Sequence, residues 1–159
     1  MKAAFFLGFL LAAGAASYSF PLRASEQLAA VEPQCPPGPA WERNGTVPIP
    51  ESFTADFPTG TQDRTFEKLQ PVFDRSKGNI NQIYLRALRE NPCLRGVLHF
   101  AIALNTEGLV AGLQIIRSTT GDAAFDQKIA DRISKIPFGR ANGSGFHVFT
   151  YPILFTAPP

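Results

Sequence analysis

The hydrophobic residues between Phe66 and Asn91 recur every three or four positions, which is the spacing of one face of an amphipathic helix. They are Leu69, Val72, Phe73, Ile80, Ile83, Tyr84 and Leu88. Pro71 suits the first turn of such a helix, and Gly78 weakens or bends its middle. Asn91-Pro92 ends it. The pattern therefore predicts one long helix that begins near Phe66.

The pattern then changes to that of two strands. Residues 97–104 form an apolar run that is too short for a long helix and rich in strand-forming residues. Residues 105–108 have the composition of a hairpin turn in which Gly108 takes a positive φ. Residues 109–117 supply the returning strand.

A second helix and a last strand complete the pattern. Thr120-Gly121-Asp122 supplies an N-cap, and Ile136-Pro137 ends the helix. The apolar face of this helix is Ala124, Phe125, Ile129 and Ile133. A loop over 139–145 leads to a strand over 146–155. The order helix, strand, strand, helix, strand predicts an α+β fold, with a three-stranded antiparallel sheet and two helices on one face.

The first residues have the pattern of a targeting segment. After Met1-Lys2, residues 3–16 are an unbroken run of small and apolar residues, about as long as the core of a signal peptide. Cleavage sites follow at Ala15 and, more weakly, at Ala24. We expect residues 1–24 to be a signal peptide, and the protein to be periplasmic or secreted. The alternative is an inner-membrane anchor over residues 3–22.

Residues 25–65 contain seven prolines and keep no hydrophobic periodicity, which predicts an extended, semi-rigid spacer before a domain over residues 66–159. Trp41, the only tryptophan, lies in this spacer. The spacer has a net charge of −4 and the domain one of +4. Because the basic residues of the domain are scattered without interleaved aromatic residues, we expect no nucleic-acid binding.

Cys35 and Cys93 are the only cysteines, and they lack the CxxC spacing of a zinc or thioredoxin-like site. Two cysteines usually pair in an oxidising compartment, so export predicts a disulfide between them. Free thiols and intermolecular pairing are the alternatives.

The sequence contains no assembled catalytic group. Gly143-Ser144-Gly145 lacks the context of a nucleophile elbow, and there is no phosphate loop or HExxH motif. His99 and His147 could face each other across the sheet, but a metal would need a further ligand, so we interpret both as structural. Asp122 and Asp126 stand one helical turn apart, where a cap and a helix-dipole role are expected. We expect no enzyme, no cofactor and no metal.

The last strand is the main candidate for a binding site. Its aromatic residues alternate with other apolar and polar residues, so that both faces have apolar character. Pro152 cannot donate a hydrogen bond within a sheet, which indicates an edge strand. An exposed edge is a platform on which a partner peptide adds as a further strand. The predicted partner-binding residues are Phe149, Tyr151, Ile153 and Phe155.

These elements resemble the TonB C-terminal domain family, and most closely its AgmX/PglI C-terminal relatives. The residues that carry the resemblance are Ile83-Tyr84, Leu88, Asn91-Pro92, Leu94, Gly96-Val97, Phe100, Ile102, Gly108, Val110, Ser118-Thr119, Ile129, Ile133, Phe138 and Tyr151-Pro152-Ile153-Leu154-Phe155. The match covers about residues 69–156. It implies a module that binds partners without catalysis and captures receptor peptides at the edge of its last strand.

The chain departs from that family in two ways. Related domains often carry a cysteine before the tyrosine and another in the second helix, where this chain has Ile83 and Lys128. Their internal disulfide is therefore absent, and a bridge from Cys35 to Cys93 would replace it. TonB itself also needs a membrane anchor for energy transduction, and cleavage of the signal peptide would remove the only candidate in this chain.

We therefore expect a non-catalytic interaction module of the cell envelope. Its expected partner is an envelope protein or an outer-membrane receptor peptide, and a homodimer through paired edge strands is a further option. One alternative is an accessory protein that binds peptidoglycan or a small ligand, for which the basic residues Arg86, Arg89 and Arg95 would meet an anionic partner. An anchored energy transducer for outer-membrane transport is the remaining alternative.

Overall fold

The computed structural model describes Cys35 and residues 47–156 of the chain. These residues form an α+β fold with a three-stranded antiparallel sheet, which confirms the fold class predicted from the sequence. The helices are α1 (Glu51–Asp56), α2 (Phe66–Glu90) and α3 (Ala123–Ile133), and the strands are β1 (Gly96–Leu104), β2 (Val110–Ser118) and β3 (His147–Phe155).

The strand order is β2-β1-β3, so that β1 is central and β3 lies at one edge of the sheet, as Pro152 indicates. The hairpin between β1 and β2 closes with a hydrogen bond from the Asn105 N–H to the Leu109 carbonyl. Gly108 in this turn has the predicted positive φ, 83°. β1 pairs with β3 without a register shift, from Gly96 opposite Phe155 to Leu104 opposite His147.

The main core lies between the sheet and the helices α2 and α3. Side chains of a strand alternate between the two faces of a sheet, so every second residue of β1 points to these helices. The residues of β1 on this face are fully buried: Leu98, Phe100, Ile102 and Leu104. They pack with Leu69 and Phe73 of α2 and with Phe125, Ile129 and Ile133 of α3.

The opposite face of the sheet is also covered, which the sequence pattern did not predict. Ala101 and Ala103 point to this face and form a second cluster with Phe53 of α1. The helix α1 lies within the residues assigned to an extended spacer, so the prediction of helices on one face alone is incomplete. A six-residue helix has fewer than two turns, too short to produce a visible helical periodicity.

Residues 58–65 then lead from α1 to α2 and form hydrogen bonds with the rest of the domain. Thr59 forms an isolated parallel bridge with Phe146, immediately before β3. The guanidinium of Arg64, which is only 8% exposed, donates hydrogen bonds to the carbonyls of Phe138, Asn105 and Gly139. These residues therefore belong to the packed structure.

Cys35 and Cys93 form the predicted disulfide, with their Cα atoms 5.1 Å apart. The bridge attaches Cys35 to the residues between α2 and β1. The predicted signal peptide and Trp41 lie outside the described residues. Within the described part, no helix is sufficiently long and apolar to span a membrane.

Candidate functional site

A groove of about 550 Å³ lies between α2 and β3. One wall comes from the helix and the other from the last residues of the strand. The residues that line the groove are Phe73, Lys77, Gly78, Ile80, Asn81 and Tyr84 of α2, and Tyr151, Pro152, Ile153, Leu154, Phe155 and Thr156. Most of the lining is apolar, and Lys77 is its only charged side chain among the described residues.

The backbone of β3 directs alternate hydrogen-bonding groups away from the sheet. In β1, the Val97 carbonyl accepts from Thr119 of the β2 side, and the Asn105 N–H donates to Leu109. Odd-numbered residues of β1 therefore face β2, and even-numbered residues face β3. Through the register, odd-numbered residues of β3 face β1. The residues whose backbone groups point outward are Val148, Thr150, Pro152 and Leu154.

Proline therefore occupies a position of β3 where no hydrogen bond within the sheet is lost, because the nitrogen of Pro152 faces outward. Among the described residues, no backbone hydrogen bond reaches the outward groups of Val148, Thr150 or Leu154. The edge thus presents three N–H groups along a strand of nine residues. It also presents four carbonyls, because Pro152 has a carbonyl but no N–H.

The beginning of the same edge is already occupied by the chain itself. Phe146 donates its N–H to the Pro58 carbonyl at 3.3 Å, and its own carbonyl accepts from the Gly60 N–H at 2.8 Å. The chain then turns away, since the Thr61 N–H donates to Ser144 instead. Extended backbone therefore already adds to the sheet at this edge, and the free part begins at Val148.

The predicted partner-binding side chains point to the helix side of the sheet. Tyr151 stacks on Phe73, with ring centroids 3.7 Å apart and planes 5° apart. Phe155 is buried, 4% exposed, and packs against Tyr84 and Phe125. Burial raises the pKa of the Tyr151 phenol, which therefore stays protonated at neutral pH.

Three of the four predicted residues, Tyr151, Ile153 and Phe155, line the groove, whereas Phe149 does not. Phe149 packs against the main core, near Phe73. The accessible part of the groove therefore lies along the last half of β3.

The helix wall was not predicted from the sequence. Lys77 forms an ion pair with Asp74 one turn earlier, and this carboxylate raises the pKa of the Lys77 ammonium. Gly78 follows, and a Cβ atom added there would meet no described atom within 4 Å apart from the adjacent residues and backbone of its own helix. Asn81 stands one turn further along α2. The sequence signals for this part of α2 were the apolar face that contains Phe73, Ile80 and Tyr84, and the glycine inside the helical pattern.

The two histidines do not come together, which corrects the arrangement suggested by the sequence. His99 lies opposite Pro152, whereas His147 lies opposite Leu104, whose side chain points to the helices. Since 99 and 104 differ by an odd number, the two histidines occupy opposite faces of the sheet. Among the described residues, no group of three or more metal-ligating side chains exists.

The two aspartates of α3 have structural contacts. Asp122 accepts a hydrogen bond from the Phe125 N–H at 2.9 Å, which confirms its role as N-cap. Asp126 is 7% exposed and accepts a hydrogen bond from the Thr120 hydroxyl. Neither carboxylate lines the groove beside β3.

A second groove, of about 410 Å³, lies between α2 and α3. It contains Arg86 from the predicted basic cluster but neither Arg89 nor Arg95. Its charged residues are Arg86, Glu90, Lys128, Asp131, Arg132 and Lys135. Because both signs of charge are interspersed, this groove has the character of a solvated helix face.

No family model, curated protein or solved structure matches the chain. The described residues define a class of molecule: a small α+β domain with an open sheet edge beside an apolar groove.

Proposed function

We propose that this chain is a non-catalytic interaction module of the cell envelope, of the TonB C-terminal type, that binds an extended partner peptide by strand addition to β3. The observation that carries this proposal is the free edge from Val148 to Leu154 beside an apolar groove. An added strand gains main-chain hydrogen bonds from such an edge, and it gains side-chain specificity from pockets along it.

The chemistry of the partner follows from the two walls of the groove. The outward backbone groups require an extended segment of about seven residues, the length of the free edge. Because the groove along the last half of β3 is largely apolar, the side chains of this segment that face the groove should be apolar. Because Pro152 has no N–H, one carbonyl of the partner finds no donor in β3. We expect this to weaken the binding free energy by about 1 kcal/mol.

The resemblance to the TonB family supports the same site. The aromatic end of its signature, Tyr151 to Phe155, forms part of the groove. The disulfide between Cys35 and Cys93 supports export, because such bridges persist in oxidising compartments. Together these features favour an envelope protein or an outer-membrane receptor as the source of the peptide.

Two variants of Thr150 test the proposal. Peptides of about eight residues would be selected from a displayed random library against the full chain. Thr150→Pro removes the outward N–H and places a ring at the edge, whereas Thr150→Ala removes the same side chain and keeps the N–H. We expect Thr150→Pro to weaken binding at least tenfold and Thr150→Ala to leave the affinity within about threefold. Equal affinities in two variants with matched melting temperatures would contradict strand addition.

The same edge also admits a second copy of the chain. Analytical sedimentation of the purified protein over a range of concentrations shows whether a second copy of the chain, rather than a peptide, pairs with β3. A monomer that binds the selected peptide agrees with the proposal, whereas a β3-paired dimer that excludes the peptide contradicts it.

N-terminal sequencing of the protein from the envelope should begin at Ala16 or Ser25; an intact Met1 in the membrane fraction would instead favour an anchor.

A further inference from the structure

We propose that Gly78 opens a gap in the helix wall of the groove, which accepts one bulky apolar side chain of the added peptide. This inference rests on the proposed strand addition and identifies the position of α2 that determines which peptide fits. Gly78 would thus be a specificity-determining residue.

Gly78 is unfavourable where it stands. It lies inside a helix of 25 residues, where glycine is the least favourable residue after proline because it loses the most backbone entropy. Its φ is not in the left-handed region, so the backbone requires no glycine. A Cβ there would also meet no described atom within 4 Å apart from the adjacent residues and backbone of its own helix, so tertiary packing of the described residues requires no glycine either.

The position of Gly78 in the groove suggests a function for the absence of a side chain there. Gly78 lines the groove, together with Lys77 beside it and Asn81 one turn later. Neighbouring strands lie about 4.8 Å apart, so an added strand would run beyond β3 and beneath this rim of α2. Its helix-facing side chains would therefore approach the helix between Lys77 and Asn81, where the absence of a side chain at position 78 leaves room.

The lining of the groove determines the kind of side chain that fits this gap. Ile80, Tyr84 and Ile153 present apolar surface to the same space. The charge of Lys77 is balanced by Asp74, so neither sign of charge on the peptide is favoured. A large aliphatic or aromatic residue at one helix-facing position of the peptide satisfies both the volume and the polarity of the gap.

The test fills the gap and asks whether the preferred peptide changes. Gly78→Leu adds a side chain at the gap, and Asn79→Leu adds the same side chain at the next residue, which is exposed and does not line the groove. The displayed library would be selected against the wild type and both variants. We expect the wild type and Asn79→Leu to select a large apolar residue at one position, and Gly78→Leu to select a small residue there while the remaining positions stay the same.

Affinities of two synthetic peptides complete the test. The selected peptide should bind Gly78→Leu at least tenfold more weakly than the wild type, and a version with alanine at the large position should bind both proteins about equally. Because leucine replaces glycine in a helix, Gly78→Leu should melt no lower than the wild type, so unfolding does not mimic the loss.

The outcomes separate the two proposals. If Thr150→Pro weakens binding but the wild type and Gly78→Leu select the same peptide with equal affinity, the gap is overturned and strand addition stands. If no peptide is selected, or Thr150→Pro binds as well as Thr150→Ala, strand addition fails and the gap fails with it.

Discussion

At the residue scale, the Arg64 side chain helps to attach residues 58–65 to the rest of the domain. It is almost fully buried, and its guanidinium donates to the carbonyls of Phe138, Asn105 and Gly139 and to the side chain of Gln62. Burial lowers the pKa of this guanidinium, yet arginine remains charged at neutral pH. A buried charge that satisfies several carbonyls is costly to remove, because the carbonyls of Phe138 and Gly139 then lose their donor, whereas the Asn105 carbonyl keeps the Gly108 N–H.

We therefore expect Arg64→Met to lower the free energy of unfolding by about 3 kcal/mol in urea denaturation. The matched control is Arg140→Met, since Arg140 is an exposed cation that pairs with Glu107 at 3.2 Å. Exposed pairs contribute about 0–1 kcal/mol, so the control should remain near the wild type. Equal losses in the two variants would contradict the role assigned to Arg64.

His99 and His147 make the stability of the domain sensitive to pH. Burial is the main cause that lowers the pKa of each imidazole, and nearby Arg117 and Arg64, respectively, lower it further. The folded state thus binds fewer protons than the unfolded state as the pH falls through the ordinary histidine range, so stability is lost on acidification. Between about pH 7 and pH 5, the wild type should lose stability more steeply than the variant His99→Gln/His147→Gln. If the free energy of unfolding depends equally on pH in the two proteins over this range, the histidines do not cause the pH sensitivity.

At the scale of the elements, α1 depends on a close approach to β2 at Gly112. A Cβ at this position would overlap the ring of Phe57, which directly follows α1. We expect Gly112→Ala to cost about 2 kcal/mol, because overpacking forces the ring and α1 away. In the Phe57→Ala background the same change should cost less than about 0.5 kcal/mol. Identical costs in both backgrounds, measured by urea denaturation, would show that α1 does not press on β2.

The elements also differ in how far the sequence reveals them. β1 was predicted over 97–104 and begins at Gly96, and β3 was predicted over 146–155 and begins at His147, because continuous apolar runs between turn residues identify buried strands. The helix α1 was missed because its burial depends on contacts with Ala101 and Ala103, which are distant in sequence. The edge position of β3 was predictable from Pro152 alone, since proline is excluded from central strands. The groove was not predictable, because its helix wall depends on the packing of α2 over β3.

At the scale of the whole molecule, the disulfide joins Cys35 to a residue 58 positions away. Closing a loop of this length restricts the unfolded chain and stabilises the fold by about 4 kcal/mol in the entropy model. We expect a reductant to lower the melting temperature of the wild type and to leave the variant Cys35→Ser/Cys93→Ser unchanged. Alkylation of both thiols in native, unreduced protein would contradict the bridge.

Amide hydrogen exchange of the full chain measures the free edge of the sheet most directly. In the free protein, the outward amides of Val148, Thr150 and Leu154 should exchange rapidly, whereas the inward amides of Tyr151 and Ile153 should be protected by β1. A peptide bound by strand addition should slow exchange at the three outward amides at least tenfold. Outward amides that are already protected in the free chain, or that exchange equally fast in the complex, would contradict the account.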